Sequence, residues 1–86
     1  MYAIISVMRL DKYLKVSRII KRRTVANEVC DAKRVTVNGK VARASYDVKV
    51  GDVIEIAIGA NTTRIQVEKI NEFANKDDAP SMYKVL

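Results

Sequence analysis

Arginine and lysine side chains crowd residues 9–23, and together they could bind a polyanion. Seven of the chain's 16 basic residues lie in this segment, against one of its 10 acids, Asp11. The segment therefore has a net charge of +6, equal to that of the whole 86-residue chain, and the remaining charges cancel. A positive excess confined to one short segment is typical of a surface that binds phosphate groups. The seven cations are Arg9, Lys12, Lys15, Arg18, Lys21, Arg22 and Arg23.

The same charges could instead form the solvated face of a helix. An ordinary solvated face mixes Glu with Lys four residues apart, which avoids repulsion between like charges. This segment has almost no countercharge and so gives up some stability of the free protein. We therefore favour binding over solvation.

The composition excludes several kinds of chemistry. The chain has no histidine and a single cysteine, Cys30, which rules out a zinc site and a Cys/His or Ser/His catalytic pair. Ser17, Thr24 and the scattered acids lack the spacing of paired catalytic groups. We expect no catalytic residue, no metal and no cofactor. One cysteine cannot form an internal disulfide, which fits a reducing compartment such as the cytoplasm.

Two helices are expected to position the basic residues. Apolar residues three and four apart predict a helix from residue 9 to about residue 17 or 20. Residues 21–23 then form a turn, and a second helix runs to about residue 32, with Thr24 as its N-cap or a first-turn residue. The buried stripe of the first helix would be Leu10, Tyr13, Leu14, Ser17 and Ile20. The apolar face of the second would be Val25, Ala26, Val29 and Cys30, with the cysteine a buried hydrophobic residue.

The remainder of the chain has the patterns of short strands and tight turns. Asn38-Gly39 predicts a type I′ hairpin turn, and Gly51 and Gly59 mark two further turns. Residues 53–58 and 63–70 have the composition and alternation of strands. The fold expected is a single α+β domain over residues 8–70, with the two-helix motif packed on a small antiparallel sheet.

The two ends of the chain leave alternatives open. Residues 1–7 are an N-terminal extension, and either Met8 is the natural start or these residues form an edge strand or an extra helical turn. In the C-terminal tail, residues 71–86, Pro80 can open a helical turn. The apolar residues after it could fold back on the core, which we favour, or dock a partner. They are Met82, Tyr83, Val85 and Leu86.

Several motifs, in this order and spacing, resemble the αL RNA-binding domain named after small-subunit ribosomal protein S-four. They are Arg-Leu-Asp-Lys-Tyr-Leu at 9–14, Ser-Arg at 17–18, Arg-Thr-x-Ala at 23–26, Val-x-Val-Asn-Gly at 35–39 and Asp-Val-Lys-Val-Gly-Asp at 47–52. The basic turn before Thr24, the short chain and the Met82-Tyr83 pair look most like the stand-alone ribosome-associated members. Those are the RqcP ribosome quality-control factors and the heat-shock protein fifteen family.

One position departs from the family pattern. The family usually has Gly as a left-handed C-cap between the second helix and the first strand, where this sequence has Lys33. A residue other than Gly at positive φ costs about 1 kcal/mol. Either the turn differs locally, or the lysine adds a phosphate contact that compensates.

The resemblance implies a non-catalytic RNA-binding protein. It implies binding to large ribosomal subunits obstructed by peptidyl-tRNA, contacts with large-subunit rRNA and P-site tRNA, and cooperation with an RqcH-type factor that adds C-terminal alanine tails. The two functional arginines of the family match Arg9 and Arg23. The full set of expected RNA-binding residues is Arg9, Lys12, Lys15, Arg18, Lys21, Arg22, Arg23, Lys33 and Arg34.

Four rival functions are considered. A heat-shock-type factor would recycle the same blocked subunits. A helix-turn-helix regulator would read duplex DNA, but the second helix offers few base-reading residues and contains two acids, Glu28 and Asp31. An enzyme is not expected, because a chain of this length leaves no room for a catalytic domain. The basic segment would allow a helix that lies on a membrane surface, but the predicted sheet argues for a folded domain instead. No apolar run is long enough to cross a bilayer, and no membrane partner is expected.

A first prediction concerns the two matched arginines. Replacing Arg9 or Arg23 by Ala should weaken binding to RNA or to ribosomal subunits by about 1–3 kcal/mol, because charged hydrogen bonds are lost. The sequence alone suggests an almost unchanged melting temperature. Subunit binding assays and thermal denaturation measure both effects, and wild-type binding by both variants would refute the site assignment.

Overall fold

A computed structural model describes residues 7–70, 77 and 79–86 of the chain. The expectations for residues 1–6 and for the tail at 71–76 and 78 lie outside the described residues. Val7, at the end of the expected extension, is exposed, and Met8 begins the first element. Helices and strands follow one another in an α+β order, which confirms the expected fold class.

The first strand and helix are short. Strand β1 is Met8–Arg9 and helix α1 is Leu10–Val16. All five residues of the predicted stripe are buried, but Ile20 reaches the core from the loop after α1 rather than from the helix. The helix ends early because Arg18 adopts a left-handed backbone, with φ of 64°, and donates its N–H to the Lys15 carbonyl. That turn redirects the chain toward the second helix.

Helix α2 spans Arg23–Asp31, so Thr24 lies in its first turn and Arg22 is the N-cap. Ala26 and Cys30 are buried against α1, as predicted. Val25 is 40% exposed, and its assignment to the apolar face was wrong. Successive helical residues are about 100° apart, and Val25 falls outside the arc that Ala26 and Cys30 share. None of the helices in the described parts of the chain is long and apolar enough to cross a membrane.

The strands after α2 are β2 (Val35–Val37), β3 (Lys40–Val41), β4 (Asp47–Val48), β5 (Val53–Ile58), β6 (Asn61–Val67) and β7 (Tyr83–Val85). Within the described residues, the strands form two antiparallel sheets. Strand β1 pairs with β4 in a two-stranded sheet, with Met8 opposite Val48. The other five strands lie side by side in the order β3-β2-β5-β6-β7.

Asn38 and Gly39 form the turn between β2 and β3. Asn38 and Gly39 both have positive φ, 53° and 85°, between the paired Val37 and Lys40, as the predicted type I′ turn requires. The Asn38 side chain also donates a hydrogen bond to Asp52 at 3.1 Å. The motif therefore ties the β2–β3 hairpin to the turn before β5.

The tail folds back on the core, as favoured from the sequence. A 3₁₀ helix, Ala79–Met82, begins one residue before Pro80, and β7 then pairs with β6. The Met82 carbonyl accepts hydrogen bonds from the N–H groups of Glu68 and Lys69. Both N–H groups converge on one carbonyl, and β6 ends at Val67 rather than at the predicted residue 70.

A buried hydrogen bond joins the two ends of the domain. The hydroxyl of Tyr13 on α1 donates to the Met82 carbonyl at 2.8 Å, although the two residues are 69 positions apart. Both side chains are fully buried. Burial raises the pKa of the Tyr13 phenol well above its usual value, so the hydroxyl stays a donor at all ordinary pH.

Tyr13→Phe should lower the free energy of unfolding by about 1 kcal/mol, because a buried hydrogen bond is lost while the Met82 carbonyl keeps two donors. The denaturant midpoint measures the loss. Tyr46→Phe is the matched control, since the Tyr46 hydroxyl has no hydrogen-bond partner among the described residues. Equal losses in the two variants would contradict a structural role for the Tyr13 hydroxyl.

Candidate nucleic-acid interface

One buried carboxylate, that of Asp11, brings the two matched arginines together. Asp11 is only 2% exposed. Oδ1 accepts hydrogen bonds from the Arg9 Nε at 3.3 Å and from the Lys12 backbone N–H at 2.8 Å. Oδ2 accepts from the Arg9 Nη2, the Arg23 Nε and the Asn27 Nδ2, each at 3.4 Å. Arginines from β1 and α2 are therefore held by one acid on α1.

The backbone around Asp11 fixes the position of this carboxylate. The first two N–H groups of α1, those of Leu10 and Asp11, have no acceptor within the helix. They donate instead to the carbonyls of Tyr46 at 2.8 Å and Ala44 at 3.1 Å. The pairing of β1 with β4 holds the preceding residue, Arg9, opposite Asp47. The start of α1 is thus fastened to the segment between β3 and β5.

Two opposing effects act on the pKa of Asp11. Burial raises it, while hydrogen bonds from Asn27, from the Lys12 N–H and from Arg23, together with the Arg23 charge, lower it by more. The net pKa lies below its ordinary value, and the carboxylate stays charged at neutral pH.

Both arginines remain available to a ligand. Their side chains are about half exposed, 50% for Arg9 and 48% for Arg23. Arg23 contacts Asp11 through Nε alone, so its two terminal nitrogens have no partner among the described residues. A guanidinium has five N–H donors, and one or two directed at Asp11 leave the others for phosphate. The carboxylate orients both side chains at the cost of one negative charge.

A groove next to the two arginines is lined by two further cations. Its walls are the C-terminal half of α2 and the segment at 41–45, and Arg9, Lys33 and Arg43 line it. The small buried residues Ala42 and Ala44 also line it. The other lining residues are Asn27, Cys30, Asp31, Val41 and Ser45.

Cys30 lies buried under this groove, as predicted. Burial is the main cause that raises the pKa of its thiol to about 11, with smaller contributions from Asp11 and Asp31. At neutral pH the protonated thiol is a poor nucleophile.

Lys33 keeps the left-handed conformation that glycine has in the family. Its φ is 61°. The N–H of Lys33 donates to the Cys30 carbonyl and that of Arg34 to the Val29 carbonyl, at 3.0 and 3.1 Å, which is the Schellman pattern. The turn therefore does not differ locally, and the first of the two explanations offered for the missing glycine was wrong.

The remaining predicted cations do not line the groove. Lys12 and Lys15 lie on the outer side of α1, and Lys12 is partly exposed. Arg18, Lys21 and Arg22 lie in the connection between the helices, and Arg34 follows Lys33. Lys15, Arg18, Lys21, Arg22 and Arg34 are all exposed.

Sequence reasoning missed three residues of the site. Asp11 was counted only as the single acid of the basic segment, although its position next to Leu10 places it at the edge of the buried stripe. Asn27 gave no signal, since its partner is 16 residues away. Arg43 lies outside the basic segment, and only the fold of residues 41–45 brings it to the groove.

The ion pairs revise the expectation of an unchanged melting temperature. Removing Arg9 or Arg23 also removes a partner of a buried carboxylate, and a buried charge that loses a partner is costly. Because Asp11 keeps the other arginine, Asn27 and the Lys12 N–H, the expected fall in stability is moderate, about 1 kcal/mol.

Comparisons with known proteins find a matching family model and several similar proteins. A model of the S4 domain matches residues 8–54. The chain is 52% identical over 79 residues to the Streptococcus pneumoniae protein named RQC P-site tRNA stabilizing factor, covering 92% of this chain and 90% of the relative. It is 48% identical to the Bacillus subtilis protein of the same name, over 92% of both chains. The trimeric structure of Vibrio cholerae Heat Shock Protein 15 superposes with a TM-score of 0.86 at 29% identity, covering 94% of this chain and 83% of that one.

Asp11→Asn should lower the free energy of unfolding at pH 7 by about 1–3 kcal/mol, because the buried acceptor loses its charge. The folded pKa is lowered, so this stabilisation is complete above the ordinary pKa of about 4 and is lost as the pH falls through the folded value. The difference between wild type and variant, measured by denaturation from pH 7 to pH 2, should therefore shrink in acid. A stability difference that does not change with pH would contradict this prediction. Glu68→Gln, which removes an exposed carboxylate, is the control.

Proposed function

This chain belongs to the S4 domain family and is a relative of the RQC P-site tRNA stabilizing factors, and from this premise we propose that it binds RNA without catalysing a reaction. Its site of action is the large ribosomal subunit obstructed by peptidyl-tRNA, in ribosome-associated quality control in the cytoplasm. There it contacts large-subunit rRNA, stabilises the P-site tRNA and supports C-terminal alanine tailing by an RqcH-type factor.

The observation that carries this proposal is the pair of arginines on Asp11. Arg9 and Arg23 match the functional arginines of the family, and a single carboxylate contacts both at 3.3–3.4 Å. Oriented guanidinium groups lose less conformational freedom on binding and can bind a phosphate with two parallel hydrogen bonds. Such a pair suits the backbone of a folded RNA, which is recognised through its shape and its phosphates.

The exposed cations around the pair supply the rest of the affinity. They are Lys15, Arg18, Lys21, Arg22 and Arg34, with Lys12 partly exposed. Binding is therefore largely electrostatic. If about five phosphates are neutralised, log K falls against log salt with a slope of roughly −3.5 to −4.5.

Duplex DNA is a poorer ligand for this surface. A helix-turn-helix protein places its second helix in the major groove. The exposed side of α2 carries Glu28 and Asp31, which would repel the phosphates that flank the groove.

The heat-shock-type function is retained as a second candidate because of the structural similarity to the Vibrio cholerae protein, at a TM-score of 0.86. Both candidates act on blocked large subunits. They differ in outcome, since a quality-control factor increases alanine tailing whereas a recycling factor clears the tRNA.

Arg23→Ala should weaken binding to large subunits that carry peptidyl-tRNA by about 10-fold, and Arg64→Ala should leave it almost unchanged. Both variants remove one exposed arginine that pairs with an acid, but Arg64 pairs with Glu55 on the sheet, away from the helices. Sedimentation with purified subunits measures binding, and reconstituted tailing measures function.

Equal binding by the two variants would overturn the assignment of Arg23. Asp11→Asn provides a second test of the geometry. It raises the net charge by one, which alone would strengthen binding to RNA, yet we expect weaker binding because the two arginines lose their common anchor. Stronger binding would mean that their orientation does not matter.

A further inference from the structure

We propose that the groove lined by Arg9, Lys33 and Arg43 is a second binding site for the RNA backbone, in which Lys33 and Arg43 contact phosphates next to those bound by Arg9 and Arg23. This inference rests on the proposed function and extends its site from the helices to the segment between β3 and β4. Arg43, which lies outside the basic segment, becomes an RNA-binding residue.

The groove is continuous with the arginine pair, because Arg9 belongs to both. Arg9 contacts Asp11 through Nε and Nη2 and also lines the groove. An RNA strand that reaches Arg9 is therefore at the mouth of the groove. Three cations line it against one acid, Asp31, which leaves an excess of positive charge.

Lys33 and Arg43 are both available to bind a ligand. Lys33 and Arg43 are exposed, and neither has an ion-pair or side-chain hydrogen-bond partner among the described residues. Two such cations on opposite walls of a groove would repel each other. A phosphate between them removes that repulsion.

The backbone of Lys33 is strained. The residue has φ of 61°, a conformation that suits glycine and is unfavourable for lysine. The Schellman hydrogen bonds of this turn involve only backbone atoms, so glycine would make them equally well. A strained residue with no structural reason for its side chain points to a function for that side chain.

The floor of the groove allows a close approach. Ala42 and Ala44 are small and buried. The backbone of this segment is fixed because the Ala44 carbonyl accepts the Asp11 N–H and the Ala42 N–H donates to the Val35 carbonyl. Small residues on a fixed backbone leave room for a sugar–phosphate chain between the charged walls.

Lys33→Gly gives a test in which stability and binding move in opposite directions. Relief of the strain should raise the Tm by about 2–6 °C. Loss of the phosphate contact should weaken binding to large subunits carrying peptidyl-tRNA by about 5- to 10-fold. A variant that gains stability and loses affinity cannot owe its weaker binding to misfolding.

Arg43→Ala tests the other wall and does not depend on the turn. It should weaken binding by a similar factor with an unchanged Tm. In the double variant, the slope of log K against log salt should become shallower by about 1.4–1.8, the change for two phosphates.

Lys84→Ala is the matched control. Lys84 is an exposed cation on β7, at the opposite edge of the five-stranded sheet from β3. Four strand spacings separate these edges, roughly 19 Å. The Lys84→Ala variant should bind within about twofold of the wild type, because the Lys84 charge lies more than a Debye length from the groove.

The outcomes separate this inference from the proposed function. If Arg23→Ala weakens binding but Lys33→Gly and Arg43→Ala bind as the wild type or as Lys84→Ala does, the groove is not a site and the proposed function stands. If Arg23→Ala also binds as the wild type, the assignment of Arg23, on which the proposed function rests, fails as well. Weakened binding in both groove variants beyond the control supports the second site.

Discussion

The whole arrangement depends on a buried carboxylate that has more than one cation to neutralise it. Asp11 is almost fully removed from water, and its charge is tolerable only because five hydrogen bonds reach it. Three of these come from arginine nitrogens on two different elements. To keep the acid charged, the fold must hold Arg9 and Arg23 close together, and a pair of arginines held close is what an RNA backbone can bind. The contacts that stabilise the buried acid also hold together the two arginines of the proposed site.

A second constraint keeps the helices in place above the sheet. The hydroxyl of Tyr13 reaches the carbonyl of Met82, so the tail is connected to the first helix through the core. Strand β7 then covers the outer edge of β6. The short α1, with only seven residues, gains from tertiary contacts the stability that an isolated helix of that length lacks. The arginine site therefore rests on contacts that span the whole domain.

The surface that we propose binds RNA also destabilises the free protein. Two lysine or arginine residues, Arg18 and Lys33, have left-handed backbones at the ends of α1 and α2. Both would be less strained as glycine, and both add charge to a surface that already repels itself. Such local conflicts are expected where a sequence serves binding, because the ligand supplies the missing countercharge. On the proposed function, bound RNA would remove this repulsion.

The sequence by itself determined the two helices, the hairpin turn and the concentration of positive charge. The spacing of Leu10, Tyr13 and Leu14 indicated the buried side of α1, and Asn38-Gly39 indicated the hairpin, since these signals are local and depend on periodicity and on φ alone. The concentration of charge in residues 9–23 indicated a polyanion, because net charge is a property of composition. Helix ends were less well predicted, and Val25 was assigned to the wrong face, because a stripe of two turns leaves the edges of the apolar arc undefined.

Only the tertiary structure decided which cations act together. Asp11, Arg23 and Asn27 meet because α1 packs on α2, and Arg43 joins the groove because the segment after β3 returns to the start of α1. These contacts join residues far apart in the chain, and no local pattern encodes the partner of a buried charge. The left-handed turn at Lys33 was likewise settled by the backbone hydrogen bonds of the folded chain rather than by the preference of its side chain. Pairing, strain and shared grooves arise from packing, which is why the sequence supplied the residues and the fold supplied the site.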